Sequence, residues 1–568
     1  MKRFWTRAAG AAIALFLGLP VMAAPARACG GFFCSRQPID QSGEKILFIR
    51  DEQSLTAIVQ IQYQGAAENF SWVVPVPARP TVTTSSDELF TRLEPATQVQ
   101  VRLTASRTEG TCRVQGGMFD SRATGLAAPA MAELARNGVN VVEQGLVGPF
   151  EKTILTAESA EALRAWLNEN QYVLPPRFDE VVKGYLKPGY HFVALKLRQD
   201  RGVGDLVPVV LRYDTGLPCI PLVLTSIAAR DDMPITAYVL GKGRAVPTNY
   251  RHVRINEARL DWFNGGSNYN QLVTEAVNEA GGKAFVTDCA TRSADLASVV
   301  RPTYDLTQFR GLATLGGIAR ELDRQGFPAG SLRAGTLGAV LTRRSVVFTG
   351  NLETMLANSA DPALDRIRID DTTLQEMIDA LEEVYLRPLR EAHQAFSKDY
   401  TLTRFYTTMS PAEMTEDPDL DFNDQLPFVS NVHSAEAVTL CDPSLTFEQA
   451  PVEIRTASGL RFAVRRGQVL NDPALPASSL IEELNTLDLG KVLSDQAPAI
   501  QAWLGKHANS ASVLSAIRAA AGTSGCSCFG TPRVARDFHD GAGEATVVGL
   551  VGFGTWARTR RRSRRRRP

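Results

Sequence analysis

Oxygen-bearing side chains recur at every second position in Asp417-Pro418-Asp419-Leu420-Asp421-Phe422-Asn423-Asp424. In an extended segment that spacing puts Asp417, Asp419, Asp421 and Asn423 on one face. Hard divalent cations such as calcium select such carboxylate and amide oxygens. An EF-hand is excluded, because the loop positions that need Gly and Glu are Phe422 and Phe428. Asp and Asn beside proline are also ordinary turn formers. Two readings stand: a divalent-cation site, or a structured polar loop, which is the commoner use of such residues. No other cofactor is expected.

The histidines His191, His252, His393, His433, His507 and His539 are scattered, and none forms an H-E-x-x-H pair. His433 lies close enough in sequence to the acidic stretch to meet it across a turn. There is no G-x-S-x-G elbow, no Walker loop and no G-x-G-x-x-G opening a helix. The balance leans away from an enzyme and towards a non-enzymatic binding or structural module. The alternative is an extracytoplasmic hydrolase or metal-dependent enzyme built on Asp419, Asp421 and His433. Trp72, Trp166, Trp262 and Phe263 are aromatic candidates for a ligand pocket, although Trp166 falls on the apolar face of a helix. Asp261 to Gly266 reads as a loop presenting two aromatics.

Cys29, Cys34, Cys112, Cys219, Cys289, Cys441, Cys526 and Cys528 form an even set. In an exported chain they are expected as disulfides. The first six lie in the body and allow 15 pairings, which the sequence leaves open. Cys29 and Cys34 close a short loop around Gly30-Gly31, yet either can bridge elsewhere. Zinc wants paired C-x2-C spacing, which is absent.

Export is written at the start. Lys2, Arg3 and Arg7 precede an apolar run from Ala8 to Met22, Pro20 breaks it, and Ala26-Arg27-Ala28 follows as small-x-small. That is the order of a secretory signal peptide. Cys29 after the cut also permits lipidation, but Ala26 and the charged Arg27 depart from the lipoprotein pattern. The expected location is the periplasm, the outer surface or a membrane anchor. Residues 29–525 carry 47 Lys and Arg against 58 Asp and Glu. An acidic body argues against nucleic acid as a partner and leaves a protein or envelope component.

At the other end Ala545 to Ala557 is apolar but too short to span a bilayer unaided. Arg558, Arg560, Arg561 and Arg562 open a cluster of eight arginines after it. Together with Cys526 and Cys528 this resembles the tripartite C-terminal sorting signals of bacterial surface proteins such as those of myxobacteria. In this chain the cysteines stand well before the apolar run.

The elements that must position these residues read as α+β: a mixed-sheet N-terminal region, then a more helical C-terminal region. Strands are expected at 55–63, 70–76, 98–103, 139–155, 190–198, 206–213, 222–227 and 235–240, and helices at 159–170 and 268–280. Later helices are expected at 312–324, 374–396 with Pro388 kinking it, 479–505 and 509–521, with a hairpin at 452–464. The expected organisation is a signal peptide (1–28), a β-rich α+β domain (29–290), a mainly helical domain (291–525), and a linker with apolar segment and Arg-rich tail (526–568).

Four segments resemble one bacterial family of unknown function, DUF2330: Ala28-Cys29-Gly30-Gly31-Phe32-Phe33-Cys34, Trp72-Val73-Val74-Pro75-Val76-Pro77, residues 268–290 and residues 402–433. The resemblance implies a secreted or envelope protein and brings no catalytic residues with it.

Overall fold

Strands with apolar residues at both odd and even positions must be covered on both faces. Ile46-Leu47-Phe48 and Ala237-Tyr238-Val239-Leu240 are of this kind. The computed structural model describes residues 32–33, 40–64, 70–112, 140–172, 174, 177–198, 206–214 and 216–522. In it those strands lie inside a ten-stranded mixed sheet. Its order is Lys491–Asp495, Ser478–Glu483, Arg251–Ile255, Ala284–Arg292, Thr401–Met409, Met233–Gly241, Asp40–Asp51, Ser54–Gln64, Val209–Tyr213 and Thr81–Thr84.

One face of this sheet packs on a five-stranded sheet that includes Ser71–Val76, Phe150–Thr156 and His191–Leu197. Ile46, Phe48, Ala237 and Val239 meet Trp72, Val74, Ile154 and Val193 there. The alternate residues Leu47, Tyr238 and Leu240 face the other way, onto helices Leu315–Gln325, Ser331–Arg343, Asp371–Leu381 and Arg387–Phe396. The outer face of the five-stranded sheet is covered by helix Ala160–Glu169 and the turns at 178–185. The layers therefore run helix, sheet, sheet, helix, and the period of two along each strand decides which core a side chain joins.

At one end of the large sheet a third core forms. Val253, Ile255 and Val286 pack on helices Tyr269–Glu279 and Ala497–His507 and on a four-stranded sheet containing Val432–Leu440 and Val452–Thr456. The chain clusters as one unit to Ile517 and a second from Arg518, whose described part is the end of helix Ser510–Gly522.

The α+β class is as expected, with mixed sheets early and more helix late. Three local expectations are corrected. A boundary at 290 would cut through strand Ala284–Arg292, which pairs along its length with Thr401–Met409 from the far side of that boundary. Residues 222–227 are not a strand but a short helix, Leu222–Thr225, behind Pro221. The expected helix at 479–505 begins as a hairpin, Ser478–Glu483 with Lys491–Asp495, because 478–482 pairs with Arg251–Ile255. Only Ala497–His507 of that range is helical.

At Pro388 the helix stays continuous by widening into a π turn over Glu382–Leu386. Proline supplies no N–H and its ring crowds the carbonyl four residues back, and the wider turn relieves both. No described helix is long and apolar enough to cross a membrane. The signal peptide, Cys29, Cys34, Cys526, Cys528, Arg558, Arg560, Arg561 and Arg562 lie outside the described residues.

Candidate functional site

The acidic stretch does not converge. Asp417 turns inward, where its carboxylate accepts from the Tyr185 hydroxyl at 2.7 Å and the Val223 N–H at 2.9 Å. Asp421 accepts from the N–H of its own neighbour, Phe422. Asn423 is buried and donates to the carbonyls of Asn485 and Asp488, both at 2.7 Å. Asp419 stands in an isolated bridge opposite Cys219. Strand Leu420–Asn423 pairs with Arg244–Pro247, so its alternate side chains are committed to packing. Among the described residues no group of three or more His, Cys, Asp or Glu has an arrangement that could hold a metal ion.

Asp417 is near enough to Glu44, on strand Asp40–Asp51 of the large sheet, to act on its charge. Burial pushes the Glu44 carboxyl up to about 8, opposed by a hydrogen bond with Thr225 and reinforced by the nearby Asp417. Its Oε2 has no hydrogen-bond partner among the described residues. Burial pushes Asp417 itself up to about 6, against the hydrogen bonds from Tyr185 and Val223.

The aromatic candidates also separate. Trp72, Trp166 and Trp262 are each buried, in three different cores. The Trp262 ring N–H donates to the Glu257 carbonyl, and the loop around it is closed by Asp261 accepting from Asn264 and Ser267. Cys112 and Cys441 form a disulfide with their Cα atoms 4.7 Å apart. Cys289, expected in a disulfide, is instead a free thiol buried in strand Ala284–Arg292, and burial pushes it up to about 11. Cys219 is buried as well.

Chemistry gathers where the sequence did not point, at the end of the large sheet. Strands Arg251–Ile255 and Ala284–Arg292 run parallel, and Arg251–Ile255 pairs on its other side with Ser478–Glu483. In that register His252 stands directly opposite Glu482, so both side chains leave the same face. His252 Nδ1 lies 2.9 Å from a Glu482 oxygen, and Nε2 lies 2.9 Å from Thr287 Oγ1 and 3.2 Å from the Thr287 N–H.

Geometry and burial together settle the protons. Burial holds the His252 imidazole below its usual range despite the hydrogen bond to Glu482. A neutral ring has one donor, and it faces the carboxylate at Nδ1. Nε2 then accepts from Thr287. Arg244 completes the chain by donating from Nη2 to Thr287 Oγ1 at 3.1 Å.

A second histidine pair lies nearby. His433 Nδ1 is 2.6 Å from Glu257 and does not meet the acidic stretch across a turn. Strand Val432–Leu440 carries His433 away from that stretch by pairing with Gln100–Glu109. Burial pushes Glu257 up, but hydrogen bonds from His433 and Ser458 outweigh it and leave the carboxyl below its usual range. Behind His433, Asp288 is fully enclosed, paired with Arg404 and receiving the Tyr269 hydroxyl.

These groups line a cleft of about 540 Å³. Arg244, Arg254, His252, Thr287, Glu257 and His433 are among its polar groups, and Val253, Val286, Leu460 and Ile500 are among its apolar walls. Phe428 is also part of the lining and is 58% exposed. Mixed apolar walls with a few convergent polar groups are the usual make-up of a small-molecule site. The available signal in the sequence was polarity inside apolar strands: Thr287-Asp288 after Ala284-Phe285-Val286, and His252 beside Val253.

A bacterial family described as an uncharacterized protein conserved in bacteria, DUF2330, matches residues 23–307. The chain belongs to this family. No curated protein and no solved structure matches it. The DUF2330 match takes in Arg244, His252, Glu257 and Thr287, whereas His433, Ser458 and Glu482 lie beyond it. The cleft is thus assembled from both sides of the end of the match.

Proposed function

We propose that the protein is exported to the bacterial envelope and acts there as a non-enzymatic binding module, with the cleft as its ligand site. The observation that carries this is the cleft itself, apolar walls around the buried Arg244–Thr287–His252 chain. Export is supported by the signal-peptide pattern ending at Ala28 and by the Cys112–Cys441 disulfide, which suits an oxidising compartment. Mass spectrometry of the protein from fractionated cells tests it. A chain beginning at Cys29, found outside the cytoplasm with Cys112 and Cys441 bonded, is expected. A cytoplasmic chain that keeps Met1 or the signal residues refutes export.

A second reading, an extracytoplasmic hydrolase, is favoured by one observation. Glu482, His252 and Thr287 form a carboxylate–imidazole–hydroxyl chain of the kind that activates a nucleophile. Against it, Nε2 is shared with the Thr287 N–H, and Thr287 is only 7% exposed. Hydrolysis of p-nitrophenyl esters by the purified protein, abolished in Thr287→Val, would favour this reading over the first.

A further inference from the structure

A buried charge without a partner is costly, and folded proteins pair or solvate it. Four arginines are buried among the described residues: Arg244, Arg259, Arg333 and Arg404. Arg259 is paired with Glu275, Arg333 with Asp323 and Arg404 with Asp288. Arg244, 6% exposed, has no carboxylate partner among the described residues. Its Nη2 donates to Thr287, its Nη1 makes a 3.4 Å contact with the Pro427 carbonyl, and its Nε has no acceptor among the described residues. Burial and the nearby Arg254 lower it, opposed by Glu482, to about 10, so it stays charged at neutral pH.

The chain beside it does not supply the missing anion. The Thr287 hydroxyl donates a hydrogen bond to His252 Nε2, His252 Nδ1–H donates to Glu482, and Arg254 also donates to Glu482 at 3.1 Å. Each member is satisfied and holds the next in place, which leaves the Arg244 guanidinium in the cleft lining with no charge in contact to neutralise it among the described residues.

We propose that the cleft takes a small apolar molecule bearing one carboxylate, and that this carboxylate is the counter-ion of Arg244; the inference rests on the cleft being a ligand site. The planar guanidinium matches a planar carboxylate, and such charge-assisted pairs are stronger than neutral hydrogen bonds. Glu257 in the same lining, with Glu482 behind His252, disfavours a multiply charged anion such as phosphate. Val253, Val286, Leu460 and Ile500 provide walls for an apolar body, and about 540 Å³ is within the range of sites for small ligands.

The test is titration calorimetry of the mature protein with octanoate, octan-1-ol and inorganic phosphate, repeated on Arg244→Gln and on Ile500→Trp, which fills the cleft. Octanoate is expected to bind at one site, at least tenfold tighter than octanol, with phosphate neither binding nor competing. Arg244→Gln is expected to lose that preference and keep octanol binding, and Ile500→Trp to weaken both. Equal affinity for octanoate and octanol in the wild type, or octanoate binding unchanged in Arg244→Gln, overturns the carboxylate assignment and leaves the cleft as a site. Phosphate displacing octanoate overturns it too. If neither octanoate nor octanol binds, the cleft reading falls and the assignment falls with it. Circular dichroism checks that Arg244→Gln and Ile500→Trp are folded, and if either is not, the wild-type preference and the remaining folded variant decide.

Discussion

Replacing Glu44 with Gln should remove most of a pH dependence built into the centre of the sheet. The Glu44 carboxyl is enclosed, with its folded-state value raised from 4.5 to about 8 chiefly by burial. The folded state therefore holds a proton that the unfolded chain releases. Stability from this group is fully present below pH 4.5 and is lost as pH rises through about 8. At about 1.4 kcal/mol per unit, the wild type loses about 5 kcal/mol across that window, about 3 kcal/mol of it by pH 7. Asp417, raised to about 6, acts with the same sign at lower pH. An amide in place of Glu44 cannot ionise. It introduces a buried N–H₂ that needs an acceptor, but that cost does not vary with pH. Urea unfolding of both proteins from pH 5 to 9 isolates the effect. The stability of Glu44→Gln relative to wild type should climb by about 1.4 kcal/mol per pH unit and level off near 8. A difference that stays flat across the range refutes the argument from burial.

Removing one partner of the enclosed Asp288–Arg404 pair, as Asp288→Leu or Arg404→Met, should cost about 3–5 kcal/mol, and the two substitutions together less than the sum; a double-mutant cycle in urea measures this. Cys112→Ser opens a bridge across 329 residues and should lower stability by about 2–5 kcal/mol, read as a fall in Tm that reducing agent reproduces in the wild type and not in the variant. Gly110 has φ +84°, and a Cβ there would run into the Cys441 carbonyl oxygen. Gly110→Ala should therefore cost about 1–3 kcal/mol and slow formation of the Cys112–Cys441 bridge, followed by thiol labelling during refolding.

Periodicity alone carried the strands with strong alternation and the helices with clear ends. Ser159 accepts from the Ala162 N–H at the start of helix Ala160–Glu169. Gly281 and Gly282 take positive φ just past helix Tyr269–Glu279, and Gly459 does so at the hairpin turn. These are local signals, set by backbone conformation and neighbours a few residues away. Residues 478–495 show why such signals fail elsewhere. Ser479, Leu480 and Ile481 suit a strand or a helix, and it is pairing with Arg251–Ile255, over two hundred residues earlier, that makes them a strand.

The candidate site failed for the same reason. Evenly spaced acids at 417–423 share a face only while the segment stands alone; pairing with Arg244–Pro247 and contacts to Tyr185 and Asn485 send them apart. Conversely, Arg244, His252, Thr287, His433 and Glu482 have no sequence spacing that marks them as a group. Composition and order along the chain determined the α+β class, the family and the expectation of export. Which polar residues meet was decided by strand register, since a side chain's face and its cross-strand partner depend on which strands pair and in what alignment.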